Sequence, residues 1–130
     1  MIGRGPILHP RVFELLHETA AAEGIPFTVE SHVGRGTFTD ADAIHRSRAG
    51  VPCGLVSIPL RYMHTPVELI AIKDVQRVGR LLAEFIAGLE PDFMTTIRWE
   101  DNDAASDVHS RWPSHSFRLA VHALAVGLCK

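Results

Sequence analysis

The segment that most constrains the fold is a largely apolar run from Val51 to Ile58, bounded by Gly50 and Pro59. A strand with one wet face alternates apolar and polar residues, whereas a strand covered on both faces does not. This run does not alternate, so the chain must supply cover on two sides. Two helical patterns offer that cover. Val12, Leu15, Leu16, Thr19 and Ala20 recur at spacings of three and four, as do Val75, Val78, Leu82, Phe85, Ile86 and Leu89. A strand flanked by amphipathic helices predicts a layered α/β domain.

The rest of the chain is read around these elements. A short Gly-containing stretch from Met1 to Leu8 leads into the first helix, with Pro10 suited to its first turn and Gly24 to its stop. From Phe27 to Val33 the pattern alternates, with Phe27, Val29 and Val33 on one side and Thr28, Glu30 and His32 on the other, which predicts a half-buried strand with His32 outward. Thr39 or Asp40 can cap a helix containing Ala41, Ala43 and Ile44 and ending at Gly50. Strand 27–33, this helix and strand 51–58 together predict a parallel βαβ unit with a right-handed crossover. Glu68 to Ile72 is read as extended, and Asp74 as the cap of the long helix that follows. Beyond Leu89 the character changes. Residues 90–99 are irregular, 100–107 are small and acidic, and Phe117 to Leu128 is apolar almost all round and reads as a terminal helix. The expected division is a domain portion over 1–90 and a tail over 91–130.

With 130 residues there is room for one modest domain. A net charge of -2 argues against a nucleic-acid partner. No run is long enough to cross a membrane, and the N-terminus lacks the apolar stretch of a signal peptide. Cys53 and Cys129 match no metal-ligand spacing; Cys53 reads as a reduced core residue, which suits a cytoplasmic setting.

The chemistry concentrates just past the central strand, in Ser57-Ile58-Pro59-Leu60-Arg61-Tyr62-Met63-His64-Thr65-Pro66-Val67-Glu68. Pro59 and Pro66 each fix a backbone angle and bracket the loop that carries His64. Loops beyond buried strands are where open α/β sheets place ligands and metals. A loop histidine bonded only to backbone is the competing reading. Asp40 is either a helix cap or a substrate-side carboxylate, and Arg61 either touches substrate or pairs with a neighbouring acid. His9, His17, His32, His45, His109, His115 and His122 form no recognised metal signature.

Four blocks occur in a fixed order: Gly5-Pro6-Ile7-Leu8-His9-Pro10, Gly36-Thr37-Phe38-Thr39-Asp40-Ala41-Asp42-Ala43-Ile44, Ala49-Gly50-Val51-Pro52, and the segment around His64. Over roughly residues 3–90 the chain resembles the C-terminal part of the catalytic domain of the M42 metalloaminopeptidases, the glutamyl and tetrahedral aminopeptidases. That resemblance implies a three-layer α/β/α zinc-exopeptidase-like fold and hydrolysis of N-terminal residues from peptides by two divalent metals, zinc or cobalt. It implies His64 as a ligand to one metal, with Asp40 and Arg61 as substrate-binding or supporting residues. A cytoplasmic location and a homo-oligomer are implied as well. Phe38 lengthens the route between the glycines and Asp40 relative to the family pattern. The family's upstream histidine, bridging aspartate, adjacent glutamates and further aspartate have no counterpart, because the sequence contains no His-x-Asp and no Glu-Glu. The expectation is therefore a chain that is inactive alone and assigns no residue a catalytic role. A companion chain supplying the missing part, a non-enzymatic binding or assembly module, and a degenerate fragment are the alternatives.

Overall fold

The computed structural model describes residues 1–34, 36–97 and the backbone of 124–127. Its elements in chain order are β1 (Ile2–Arg4), α1 (Pro10–Ala22), β2 (Val29–Ser31), α2 (Ala41–Ile44), β3 (Gly54–Ser57), β4 (Leu60–Arg61), β5 (Leu69–Ile70), α3 (Ile72–Ala87), α4 (Phe93–Thr96) and β6 (Leu124–Gly127). The main sheet has the order β2-β1-β3-β6, and β4 pairs with β5 separately.

Helix α1 begins where Pro10 is pre-set for a first turn and the buried His9 accepts the Arg11 N–H on Nδ1 at 3.2 Å. It ends as expected at Gly24, whose φ of 59° suits a residue without a Cβ. The α1 face of Val12, Leu16 and Ala20 packs with Leu81 and Phe85 of α3 against Ile2 and Val56 of the sheet. Each of these side chains larger than alanine contributes about 1.5–3 kcal/mol through removal from water. On the other sheet face, Leu55 and Cys53 pack with Ile7, Leu8 and Ala41. The central strand is thus covered on both sides, as its unbroken apolar pattern requires. Close packing depends on Gly54, where an added Cβ would lie 2.6 Å from Val12 Cγ1. Ile97 is also part of the core, with Phe93 and Met94 packed against it.

Several expectations need correction. The parallel βαβ unit is β1-α1-β2, not 27–33 with 51–58: β1 pairs parallel with β2 and antiparallel with β3, so it separates those two strands. Met1 and Ser57 exchange backbone bonds at 2.7 and 2.9 Å, which draws the first residues into the middle of the sheet. The strand expected over 27–33 is confined to 29–31, and its facing is inverted. Val29 and Val33 are exposed, whereas Glu30 and His32 are half-buried. Alternation identifies which residues share a face; the neighbours decide which face is covered. Helix α2 stops at Ile44 rather than reaching Gly50. Helix α3 starts at Ile72 with Ala71 as its cap residue, and Asp74 lies in its first turn, bonded to Arg77 at 2.8 Å. Within the expected terminal helix over 117–128, residues 124–127 form strand β6, parallel to β3. The remainder of that segment, and the acidic stretch at 100–107, lie outside the described residues.

Candidate functional site

His64 is carried on a connection between two short strands. Leu60 pairs with Ile70 and Arg61 with Leu69, which closes residues 62–68 into a loop. Tyr62 and His64 both have φ of 63°, a left-handed geometry that costs a non-glycine residue about 1–2 kcal/mol. Local bonds hold it. The Thr65 hydroxyl lies 2.6 Å from the Tyr62 carbonyl and 2.7 Å from that of Val67, and Glu68 Oε1 accepts the His64 N–H at 2.9 Å. These bonds fix the backbone, and the His64 residue is exposed. Arg61, also exposed, lines an open cavity of about 340 Å³ with Leu60, Leu69, Ile70 and Asp74.

The second segment is organised around Asp42. Its Oδ1 accepts the Thr37 N–H and the Thr37 hydroxyl, each at 2.7 Å, and Oδ2 accepts the Phe38 N–H at 2.9 Å. Burial pushes this carboxyl up, but the Thr37 hydroxyl, the amides of Thr37 and Phe38 and the charge of Arg46 more than offset that, leaving it below the ordinary carboxylate range. A glycine is needed at Gly36, where a Cβ would lie 2.5 Å from Asp42 Oδ2. Thr39 supplies the cap, its hydroxyl accepting the Ala41 N–H at 3.2 Å. Asp40 makes no capping bond and is exposed. The acid that organises this segment is thus Asp42 and not the candidate Asp40; its signal in the sequence is Thr37 five residues before an acid in the first helical turn.

Among the described residues, no hydrogen bond or ion pair joins Asp40 to Arg61 or His64, and no three His, Cys, Asp or Glu side chains are placed to hold one metal ion. A zinc centre takes at least three protein ligands. The described donor set therefore does not amount to a metal centre, and no chemical step can be routed through a metal on these residues alone. Other histidines have structural partners. His17 packs edge-on to Phe27 with ring centroids 4.8 Å apart, and His45 Nδ1 lies 3.0 Å from the Ala41 carbonyl. Cys53 is buried, its thiol 3.3 Å from the Val51 carbonyl, and burial pushes that thiol up to about 11.

Comparison with known proteins places this arrangement. The family model of the M42 glutamyl aminopeptidases matches residues 1–81. A lysyl aminopeptidase of Pyrococcus furiosus is 37% identical over 87 residues, which are 67% of this chain and 25% of that protein. A protein of Acetivibrio thermocellus is 40% identical over 83 residues, 64% of this chain and 24% of its own length. The solved structure of an aminopeptidase from the archaeon Desulfurococcus kamchatkensis superposes with a TM-score of 0.64 at 33% identity, over 75% of this chain and 28% of that one. The chain thus spans about a quarter of the length of the relatives it matches. Its ordered sequence blocks, its mixed α/β sheet and these matches together establish that the chain belongs to the M42 glutamyl aminopeptidase family.

Proposed function

We propose that this chain forms one wall of a metal-dependent aminopeptidase centre that removes N-terminal residues from peptides. His64 is the ligand it contributes, to one of two divalent ions, zinc or cobalt. A neutral imidazole suits that role because it coordinates borderline metals without adding negative charge. Arg61 and Asp40 stand on the substrate side of the same centre, and the complete domain is of the three-layer α/β/α zinc-exopeptidase type. The setting is cytoplasmic, and the assembly is homo-oligomeric or completed by a companion chain.

The observation that carries the reading is the His64 loop: an exposed imidazole whose backbone is held by Glu68 and Thr65 and bracketed by Pro59 and Pro66. Because the described donors fall short of a metal centre, the chain alone is inactive, and the remaining ligands and the general base come from outside the described residues. A non-enzymatic assembly module is the second reading, favoured by the exposed Tyr62, Val67, Leu69 and Ile72 around the same loop.

Zinc titration of the purified chain, with leucyl-, glutamyl- and lysyl-peptide hydrolysis measured in parallel, tests the proposal. The chain should bind zinc more weakly than micromolar, lose part of that binding on His64→Ala, and show no turnover. Chelator-sensitive hydrolysis by the chain alone, or zinc binding indifferent to His64→Ala, would overturn it.

A further inference from the structure

The β4–β5 pair that closes the His64 loop also bounds the cavity of about 340 Å³ lined by Arg61. Leu60, Leu69 and Ile70 give this cavity apolar walls, and they are open to water: Leu69 is 58% exposed and Ile70 41%. Apolar surface left wet around a concave site is where a ligand gains most from burial.

Its charge is unbalanced. Two ionisable side chains line it, Arg61 and Asp74, and they do not pair with each other. Asp74 Oδ1 accepts from the Arg77 guanidinium at 2.8 Å, and nearby Glu68 is engaged by the His64 N–H at 2.9 Å. Among the described residues Arg61 enters no ion pair. The cavity thus combines apolar walls with a guanidinium that lacks an anion. A guanidinium presents a planar fork of donors, which matches the two oxygens of a carboxylate.

The last residue of a peptide carries both complements on one Cα, an apolar side chain and a carboxylate. An acidic side chain offers the carboxylate without an apolar group beside it. Reach favours the peptide terminus as well. Arg61 and His64 are three residues apart, so their Cα atoms lie within about 11 Å. An extended peptide advances about 3.3–3.6 Å per residue, so two or three residues cover that span.

We propose that the β4–β5 cavity holds the C-terminal residue of a short peptide, with its side chain against Leu60, Leu69 and Ile70 and its carboxylate on Arg61. Combined with the aminopeptidase reading above, on which it rests, this makes Arg61 a selector of apolar di- and tripeptides. NMR titration of the isotope-labelled chain with leucyl-leucine tests it, with amide shifts expected at residues 59–61 and 69–74. Leucyl-leucine amide lacks the carboxylate and should bind about five-fold more weakly. Leucyl-glycine keeps the carboxylate but leaves the apolar walls uncovered, and should also bind more weakly. Arg61→Gln should bring leucyl-leucine and its amide to within about two-fold of each other, whereas Arg61→Lys should keep part of the difference because the charge remains without the fork.

Equal binding of leucyl-leucine and its amide by the wild-type chain would overturn the proposal. So would discrimination that survives Arg61→Gln, shifts confined to other residues, or tighter binding of glutamyl-leucine amide, whose carboxylate is on a side chain. Zinc binding through His64, measured separately, keeps the two readings apart. Zinc binding indifferent to His64→Ala, with peptide discrimination retained, would sink the metal reading alone; His64-dependent zinc binding without discrimination would sink this one alone.

Discussion

Asp42→Asn isolates the electrostatics of the loop that leads into α2. The change is nearly isosteric and keeps an acceptor at Oδ1 for the two bonds from Thr37. At Oδ2 it replaces an acceptor with an amide group that faces the Phe38 N–H, so a bond of 2.9 Å becomes a donor-donor clash. A hydrogen bond to a charged acceptor is worth about 1.5–3 kcal/mol. Asp42 is only half-buried, so solvent screening lowers the expected loss to about 1–1.5 kcal/mol. Urea denaturation at neutral pH measures it as a lower midpoint with an unchanged slope.

The pH dependence supplies an independent check. The folded carboxyl lies below its ordinary value of 3.8. The stability it confers is therefore complete above the unfolded value and is lost as the pH falls through the lower folded one. The gap between wild type and Asp42→Asn should be constant above about pH 5 and narrow as the pH drops toward about 3, because a protonated aspartate resembles asparagine. A gap below about 0.3 kcal/mol at neutral pH, or one that stays constant or widens on acidification, would refute the reasoning.

Two further outcomes follow from the packing. Gly54→Val forces branched carbon atoms into the space of Val12 Cγ1 and Leu16 Cδ1, at 2.6 and 3.1 Å from the first added atom, and should cost about 2–3 kcal/mol in thermal or urea unfolding; a neutral change would show that α1 does not press on β3 as described. Cys53 should stay unmodified by iodoacetamide near pH 8, as read by peptide mass spectrometry, and react once urea unfolds the chain; because its thiol is raised from 9.0 to about 11 by burial, the unfolded state loses the proton first and stability should fall between those values.

The elements legible in the sequence were those whose signal is local. Helices α1 and α3 each carry an apolar stripe, although in α3 the stripe read from sequence leaves out the buried Leu81 and includes the exposed Val75, and Gly24 marks a left-handed stop that few other residues accept. The flatness of the pattern in 51–58 correctly implied cover on both faces of β3. What was not legible was set at long range. β1 is only Ile2–Arg4, too short for any periodicity, yet it lies between β2 and β3 and reverses the direction expected of the latter. Leu124–Gly127 is an apolar stretch whose choice of strand over helix is made by pairing with β3, far away in the chain. The inverted facing of β2 has a similar origin: its wet and dry sides are defined by what stands next to an edge.

The candidate site divides along the same line. The His64 loop is specified by its own residues, since two prolines, the Thr65 hydroxyl and the Glu68 carboxylate all act within a few positions of the histidine. Two left-handed non-glycine residues in so short a loop, Tyr62 and His64, would relax unless neighbouring bonds over-determined them. The conformation is therefore held before any ligand arrives, and a group that binds the imidazole does not also have to order its backbone. The number of donors facing that imidazole is a different kind of quantity. It depends on which distant segments converge, and the described residues do not bring three donors together. A loop can thus be fully encoded by its own residues while a centre built from several segments is not, which is why His64 is legible as a candidate ligand from sequence and the completeness of a site around it is not.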